Sequence, residues 1–413
     1  MAVIGLILAM GMIIFLIRKG VSLGLVMFIG VLIIGLFSPI TLSEAGHIFW
    51  RTITDKTTVE LLLIIFFISI LGELLHQTGG LEQMVKNLNN FFTDPRLLLI
   101  FLPALIGSLP IAGGAVFSAP MVESTGKVLK MESWRMAVVN IFYRHLFYLL
   151  FPLYSGLILA IELSGYSFAF FARFNAGVVL STFLFSFCYI FREKKMSIKR
   201  DLGANSWLKV KALLKSLAPL LIILITAFLL GTPLPLAMFF GTVAAFLNYL
   251  PRGKWQEEIM RRTRLIFPGI RWSMLLAIAG IMVFKNFVLA SRAVFFLAER
   301  FIALGVPLLA LAVVLPLLTG LVTGNPAAAL GISLPIIMPM SSVSKGPEIY
   351  AGLVYIVSLV GYILSPAHLC LALTVEHFKA DYSKVFKELC LLMFFMLLSA
   401  FLTALVWYYF VHW

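Results

Sequence analysis

Long apolar stretches, separated by short polar connections, follow one another along the whole chain. The stretches at 61–75 and 389–410 contain one charged residue between them. Crossing ~30 Å of hydrocarbon takes roughly 20 residues of helix, so stretches of this length predict transmembrane helices. We predict ten spans, at 2–17, 21–37, 60–76, 136–163, 167–191, 214–230, 234–250, 272–290, 350–373 and 387–410.

Two further apolar segments, 97–121 and 305–340, are interrupted by proline and glycine. Proline removes a backbone donor and ends or kinks a helix, so neither segment is predicted to cross the membrane as one helix. Each is predicted to form a re-entrant hairpin that enters and leaves on the same side.

The prolines of the two halves repeat with similar spacing. Pro103, Pro120 and Pro152 of the first half correspond to Pro316, Pro335 and Pro366 of the second. We call the sequence distance from Pro152 to Pro366 the repeat offset; the other two pairs match it to within one position. At the repeat offset Tyr154 falls on His368, and both spans are predicted to unwind at a similar depth. Matching interruptions of this kind indicate a transporter's binding site.

The composition agrees with a membrane protein, because 62% of the residues are hydrophobic and only 12% are charged. Helices and closed barrels are the structures that satisfy backbone groups in lipid, and the alternation typical of barrel strands is absent. The predicted fold is therefore an all-α polytopic membrane protein with discontinuous helices. The net charge of +14 comes from loops between spans, which indicates orientation in a bilayer and not nucleic-acid binding.

Loop charges favour re-entrant hairpins. With both hairpins re-entrant and the N-terminus outside, the cytoplasmic loops hold 24 Lys and Arg residues and the external loops hold 6. With both hairpins as ordinary spans and the N-terminus inside, the numbers are 20 and 10. The positive-inside rule prefers the first arrangement, which places both termini outside a cell membrane.

Each half then contains five crossings and one hairpin. Because five is odd, the halves 1–200 and 201–413 face opposite ways, which is an inverted-topology repeat. The segments 81–92 and 293–304 precede the two hairpins at matching positions and mix apolar and charged residues. They are predicted to be either interfacial helices or plain amphipathic connectors.

The hairpin tips, 108–115 and 319–327, are the first candidate binding elements. A helix N-terminus presents free N–H groups that suit a carboxylate, and freed carbonyl and hydroxyl oxygens suit a small cation. The alternative is a kink that serves packing alone. The candidate residues are Ser108, Gly113, Gly114, Thr319, Thr323 and Asn325.

Polar residues in the spans after the hairpins are the second candidates. Arg144 lies about nine residues inside its span, and a charge at that depth indicates a function, here contact with an anion. Snorkelling to the interface is the alternative. His145 and His368 are candidate proton carriers or, alternatively, structural histidines. The set comprises Asn140, Arg144, His145, Tyr154, Ser155, Ser365 and His368.

Other chemistry has weaker support. Glu73 is the carboxylate that a sodium/proton antiporter would need, and it aligns with Lys285 at nearly the repeat offset, either as a polar pair or as two separate interfacial residues. Zinc-protease, serine-hydrolase and Walker motifs are absent, so no enzyme is predicted. The hypothesis of an intramembrane enzyme would use Arg144, His145, Tyr154 and Ser155.

The text LPIAGGAVFSAPMVES at 109–124, followed by NIFYRHLFYLLFPLYSGL at 140–157, resembles an uncharacterised integral-membrane family of the ion-transporter superfamily. That superfamily includes gluconate permeases and citrate and dicarboxylate carriers. The resemblance implies a homodimer whose transport domain, built from two hairpins and two unwound helices, moves like an elevator. The Ser-Asn-Thr tips of the sodium–dicarboxylate branch are missing here.

We therefore expect a secondary transporter of a small organic anion, either a carboxylate or a sugar acid, driven by a proton or sodium gradient. A sodium/proton antiporter of the same superfamily is the alternative. The expected partners are the anion, the coupling cation and the lipid bilayer, and no cofactor is expected beyond a bound sodium ion. The residues expected to hold the coupling ion are Ser108, Thr319, Thr323, Asn325 and His145.

Overall fold

The described part of the chain is helical throughout. The computed structural model describes residues 1–92, 94–108, 114–192, 206–248, 250, 254–293, 296, 300, 305–342, 344–366 and 368–411. Over these residues the chain forms nineteen α-helices and no strand. The all-helical fold with discontinuous helices is therefore confirmed.

The first half contains ten helices. They are α1 (Ala2–Arg18), α2 (Leu23–Phe37), α3 (Leu42–Thr54), α4 (Lys56–Gln77), α5 (Gly80–Phe91), α6 (Pro95–Ser108), α7 (Gly114–Val128), α8 (Ser133–Leu146), α9 (Ser155–Ser164) and α10 (Phe168–Phe191).

The second half adds nine helices among the described residues. They are α11 (Ser206–Leu224), α12 (Leu234–Leu247), α13 (Trp255–Gly269), α14 (Trp272–Ala290), α15 (Leu308–Thr323), α16 (Pro326–Ser341), α17 (Pro347–Ile363), α18 (Leu369–Phe378) and α19 (Tyr382–Val411).

Five described helices are long and apolar enough to cross a membrane, judged by length and composition. A further nine are apolar but shorter, and most of these belong to the hairpins and the broken spans. The protein is a multi-pass membrane protein. The five long segments are Lys56–Gln77, Phe168–Phe191, Trp207–Ala227, Trp272–Ala290 and Tyr382–Tyr409.

Two surface helices, α3 and α13, correct the sequence analysis, which assigned both to loops. The start of α3 is a capping box, in which the Thr41 hydroxyl accepts from the Glu44 amide at 3.3 Å and Glu44 accepts from the Thr41 amide at 2.8 Å. The amphipathic segment expected at 81–92 is α5. Its counterpart at 293–304 lies mostly outside the described residues.

The connection between α12 and α13 is held by a buried arginine. The Arg262 guanidinium is 1% exposed and donates to the carbonyls of Phe246 and Asn248 at 2.5 and 2.7 Å. Its Nε also contacts a Glu258 carboxylate oxygen at 2.7 Å. Because the last carbonyls of a helix have no partner within that helix, the guanidinium completes the end of α12.

The helices pack as two groups. One group contains α1–α5 and α11–α14, and the other contains α6–α10 and α15–α19. Most packing occurs inside each group. The main contacts between groups are α14 with α16, α1 with α15, α4 with α9, and α5 with α6. Both hairpins and both broken spans therefore lie in the same group.

Candidate functional site

The predicted span at 136–163 is broken near its middle, as its proline indicates. Helix α8 ends at Leu146, a single 3-10 turn covers Phe147–Leu149, and α9 begins at Ser155. Pro152 lies between them and cannot donate an amide hydrogen to a continuing helix. Tyr154 is the N-cap residue of α9. The predicted unwinding at Pro152 is confirmed.

Side chains from distant helices satisfy the carbonyls that this break releases. The Tyr355 hydroxyl of α17 donates to the Tyr148 carbonyl at 2.7 Å, and Nδ2 of Asn175 in α10 donates to the Leu149 carbonyl at 2.8 Å. A buried carbonyl left without a donor costs on the order of 1–3 kcal/mol. The break is therefore a fixed feature of the fold.

The span at 350–373 is broken in the matching place. Helix α17 ends at Ile363, Pro366 lies in the gap, and His368 is the N-cap residue of α18. The Ser365 hydroxyl donates to the Leu321 carbonyl of α15 at 2.6 Å. Tyr154 and His368, which the sequence aligns, therefore occupy the same position in their two helices.

Each hairpin lies directly against the backbone of the helix that follows it. A Cβ added to Gly107 of α6 would come within 2.8 Å of the Arg144 carbonyl oxygen. A Cβ added to Gly320 of α15 would come within 2.9 Å of the Ser358 carbonyl oxygen. Only glycine permits such an approach. The two carbonyls are separated by the repeat offset, and the two glycines are one position short of it.

The tip of the second hairpin is a tight turn closed by its own side chains. Gly324 has a φ of +58°, and the Thr323 hydroxyl donates to the Thr319 carbonyl at 2.6 Å. Oδ1 of Asn325 accepts from the amides of Ala327 and Ala328 at 2.9 and 3.2 Å. Asn325 is thus the side-chain cap of α16.

This cap changes the interpretation of the α16 N-terminus as an anion site. Pro326 is its first residue and has no N–H, and the next two N–H groups are bonded to Asn325. The donors expected to meet a substrate carboxylate are therefore already engaged. Thr319 likewise donates its hydroxyl hydrogen to the Leu315 carbonyl, at 2.8 Å.

At the tip of the first hairpin, the structure describes only the helix ends on either side. Ser108 is the last residue of α6 and Gly114 is the first of α7. Gly113 and the side chain of Ser108 lie outside the described residues.

Arg144 lies at the end of α8 beside Gly107, and it is only 4% exposed. Its guanidinium is hydrogen-bonded to the side chain of Tyr148 and interacts electrostatically with Tyr362 and Cys370. Among the described residues, its Nε and Nη1 have no hydrogen-bond partner and no carboxylate pairs with it. Its burial next to the break is inconsistent with simple snorkelling to the interface.

The two histidines meet between the breaks. The rings of His145 and His368 have centroids 4.9 Å apart and are nearly perpendicular, at 81°. Nδ1 of His145 is 2.6 Å from the Ile141 carbonyl oxygen, and Nδ1 of His368 is 3.3 Å from that of Ile363. Both Nε2 atoms are buried and have no hydrogen-bond partner among the described residues.

Three tyrosines surround this pair. Tyr148 stacks on Tyr154 with centroids 3.9 Å apart, and Tyr362 packs on His368 at 4.2 Å. Tyr148 and Tyr362 are separated by the repeat offset, which also relates Tyr154 to His368. That offset was the sequence signal for the two tyrosines, and the sequence analysis missed it.

The remaining candidates have structural contacts. Nδ2 of Asn140 donates to the Thr374 hydroxyl at 3.0 Å, which ties α8 to α18, and Ser155 is the first residue of α9. Glu73 accepts from Gln77 at 2.8 Å within α4.

Lys285 interacts instead with Glu162 and Asp55. Of the two interpretations of Glu73 and Lys285, the structure supports two separate polar residues.

An open surface cavity of about 1240 Å³ lies elsewhere, lined by the ends of α1 and α2, by α3, and by Ser291 and Arg292. None of its lining residues belongs to the breaks or to the hairpins. The polar cluster between the breaks is therefore separate from this cavity, and its Arg144, His145 and His368 are buried.

Comparison with known proteins assigns the chain to a family and shows a solved structure with a similar fold. One family model, described as "Protein of unknown function (DUF401)", matches residues 1–410. The crystal structure of the Alcanivorax borkumensis YdaH transporter, reported to have an unusual topology, shares the fold with a TM-score of 0.62 at 14% identity. The match covers 96% of this chain and 98% of that chain. No curated protein sequence matches.

Proposed function

The chain belongs to the DUF401 family, and we propose that it is a secondary carrier of a small organic anion in a cell membrane. The anion is a carboxylate or a sugar acid, and its transport is coupled to a proton or sodium gradient. The fold shared with a transporter supports this class. Membership of the ion-transporter superfamily and assembly as a homodimer stay predictions.

One observation carries the proposal, namely the buried guanidinium of Arg144 without a carboxylate partner among the described residues. Removing a charge from water costs several kcal/mol unless a counter-charge compensates. A charge inside a membrane protein that no protein group compensates is by default a functional site. A substrate carboxylate is the counter-charge that we infer.

The paired breaks support alternating access. Tyr148 and Tyr362 recur at the repeat offset, as do the two prolines of the breaks, and Gly107 and Gly320 come within one position of it. Two repeats of opposite orientation, 1–200 and 201–413, would give a carrier two interchangeable states around one site. The inverted orientation, with both termini outside, belongs to this proposal.

The two groups of helices support an elevator mechanism. The group with both hairpins and both breaks would carry the anion, and the group of α1–α5 and α11–α14 would stay fixed in the bilayer. The few contacts between groups favour motion of one against the other. Rigid-body movement of one bundle around a fixed site is a common form of alternating access.

Replacement of Arg144 by Gln tests the proposal. Purified protein is first screened by thermal shift against carboxylates, sugar acids and inorganic phosphate, with and without sodium. In Arg144→Gln, the affinity for each stabilising carboxylate should fall by about 10–100-fold, because hydrogen bonds to charged groups contribute roughly 1.5–3 kcal/mol. Uptake into proteoliposomes should fall with it.

Arg173→Gln is the matched control, because Arg173 is an exposed arginine of α10 whose Nε donates to the Ala169 carbonyl. That variant should bind and transport like the unmodified protein. Carboxylate affinity that is unchanged in a folded Arg144→Gln variant would remove the guanidinium from the site and, with it, the observation on which the proposal depends.

A further inference from the structure

We propose that the coupling ion is a proton, and that His145 and His368 together carry one proton for each anion bound at Arg144. This inference rests on the proposed carrier function and names its coupling ion. The pair joins the end of α8 to the N-cap of α18, so it bridges the two breaks.

The hydrogen bonds of the two rings define which nitrogen takes the proton. A carbonyl oxygen can only accept a hydrogen bond, so the Nδ1 atoms that face Ile141 and Ile363 must carry hydrogen. In a neutral imidazole the other nitrogen then has a free lone pair. Each histidine therefore presents a basic Nε2.

Those two Nε2 atoms are unused by the fold. His145 is 0% exposed and His368 is 1% exposed, and neither Nε2 has a hydrogen-bond partner among the described residues. Buried polar atoms are normally hydrogen-bonded, and exceptions require an explanation. Two unpartnered basic nitrogens on rings whose centroids are 4.9 Å apart are explained by a proton that the pair binds and releases.

The surrounding charges limit the histidine pair to one bound proton, and they make the binding of that proton depend on an anion at Arg144. Besides each other, the charged or titratable groups near the rings are Arg144, Tyr148 and Tyr362, with Tyr154 and Cys370 beyond them; no described carboxylate contacts either ring. Tyr148 and Tyr362 contact the His145 ring, and Tyr362 also contacts the His368 ring. Arg144 interacts electrostatically with both histidines.

A positive imidazole next to another and beside a guanidinium is repelled by both. An anion on Arg144 cancels one of those charges, so proton and anion should bind together. Because such coupling is reciprocal, the proton must raise anion affinity by the same factor. The proton enters from water on one side and returns to water on the other, together with the anion.

At the second hairpin tip, one oxygen that the sequence offered to a sodium ion, Oδ1 of Asn325, is already engaged by two amides. The hydroxyl hydrogens of Thr319 and Thr323 are donated to backbone carbonyls. These contacts close the tip.

The test reads each histidine directly. Hydrogen exchange at the imidazole C2 position, resolved by mass spectrometry, is followed from pH 4 to pH 9 on the full chain in sodium-free nanodiscs. D-gluconate and succinate are the probe anions. The two histidines should gain one proton in total, and a probe that binds should raise the midpoint of that step by one pH unit or more, which is a tenfold or greater coupling.

Two variants and a control extend the test. His145→Gln and His368→Gln should each remove the pH dependence of probe binding, and proteoliposomes containing them should lose anion-driven acidification of an enclosed pH-sensitive dye. His47→Gln changes an exposed histidine of α3 and should behave as the unmodified protein. The measurement on the unmodified protein keeps the test decisive if a variant does not fold.

The outcomes separate this inference from the carrier proposal. If a probe binds through Arg144 while both histidines stay unprotonated down to pH 4, or if binding ignores pH and requires sodium, the proton inference is wrong and the carrier proposal stands. If no carboxylate binds at any pH, the carrier proposal fails. In that case, uptake of one proton by the two histidines together would still support the proton site, and no uptake by either histidine would overturn it.

Discussion

Two arginines are buried to the same degree in different regions of the molecule, and their surroundings are opposite. Arg262 is 1% exposed and is held by two carbonyls and the Glu258 carboxylate. Arg144 is 4% exposed, and two of its guanidinium nitrogens have no partner among the described residues. The chain itself completes the first site and leaves the second incomplete.

The difference separates a charge that the fold pairs from the one that we propose to be functional. Hydrogen bonds, chiefly from Arg261 and also from Arg262, lower the pKa of the Glu258 carboxyl to about 2, so this carboxyl is ionised at neutral pH. Such a cluster stabilises one conformation. A guanidinium that lacks a counter-charge instead stabilises whichever state brings an anion to it.

The largest expected effect is the difference in stability between the variants Arg262→Met and Arg144→Met. Arg262→Met leaves two carbonyls without their donor, while Glu258 keeps its bonds to Arg261, so it should lower the free energy of unfolding by about 2–5 kcal/mol. Arg144→Met removes an uncompensated charge and should leave stability unchanged or raise it. Denaturant unfolding in detergent micelles, followed by tryptophan fluorescence, measures both.

Equal losses in the two variants would contradict this comparison. In that case Arg144 would be bonded as fully as Arg262, and its guanidinium would belong to the structure and not to a binding site.

An intermediate effect is expected where the hairpins meet the broken helices. Gly320→Ala puts a methyl group 2.9 Å from the Ser358 carbonyl oxygen, and Gly107→Ala does the same 2.8 Å from that of Arg144. Overpacking of this kind typically costs about 1–3 kcal/mol. Thermal unfolding of the two variants should show similar losses if the two halves are equivalent.

Gly11→Ala is the matched control for these glycine variants. A Cβ at Gly11 of α1 meets nothing within 4 Å, so alanine should stabilise the helix by up to about 1 kcal/mol. If Gly107→Ala and Gly320→Ala were as stable as Gly11→Ala, the close packing of hairpin and helix would be wrong.

The smallest effect is expected at Glu123 of α7, which pairs with Lys127 of the same helix and contacts His377 of α18. Glu123 contacts Lys127 at 2.7 Å and His377 at 2.9 Å, and chiefly Lys127 holds its pKa below the ordinary value of 4.5. A lowered pKa gives stability that is present above pH 4.5 and is lost as the pH falls below it. Glu123→Gln should therefore cost under about 1 kcal/mol at pH 7.

A pH series of thermal midpoints checks this expectation. The difference between Glu123→Gln and the unmodified protein should be small at pH 7 and should vanish in acid. A difference that stays the same at pH 3 would mean that the carboxylate is not the group responsible.

The breaks were predictable because their cause is local. Pro152 and Pro366 lie at the breaks because proline has no amide hydrogen to continue a helix, although Pro103 and Pro316 are accommodated inside α6 and α15. The repeat offset between the halves predicted that Tyr154 and His368 would be equivalent. Both predictions depend on backbone chemistry that can be recognised in a single sequence.

The composition of the site was not predictable to the same extent, because it depends on contacts between distant segments. Tyr355 and Asn175 donate to the carbonyls of the first break from α17 and α10. Nothing in the local sequence of either residue indicates that role. The contact of His145 with His368 likewise depends on how α8 packs against α18.

One wrong assignment and one unforeseen contact have physical causes. Helices α3 and α13 are short, and α13 is also rich in charge, so a search for long apolar spans treats both as loops. Asn325 is a candidate binding residue because it is a polar residue at a hairpin tip. Asparagine is also a preferred N-cap, and in the structure Asn325 caps α16.

The glycine contacts at Gly107 and Gly320 fix each hairpin to its neighbouring helix backbone to backbone. Because the two backbones lie this close, the hairpins have little freedom to swing open as separate flaps. In a carrier built this way, the gate and the cargo compartment are one rigid piece. A small molecule wedged in the seam between the two groups of helices would then arrest the cycle without competing with the substrate.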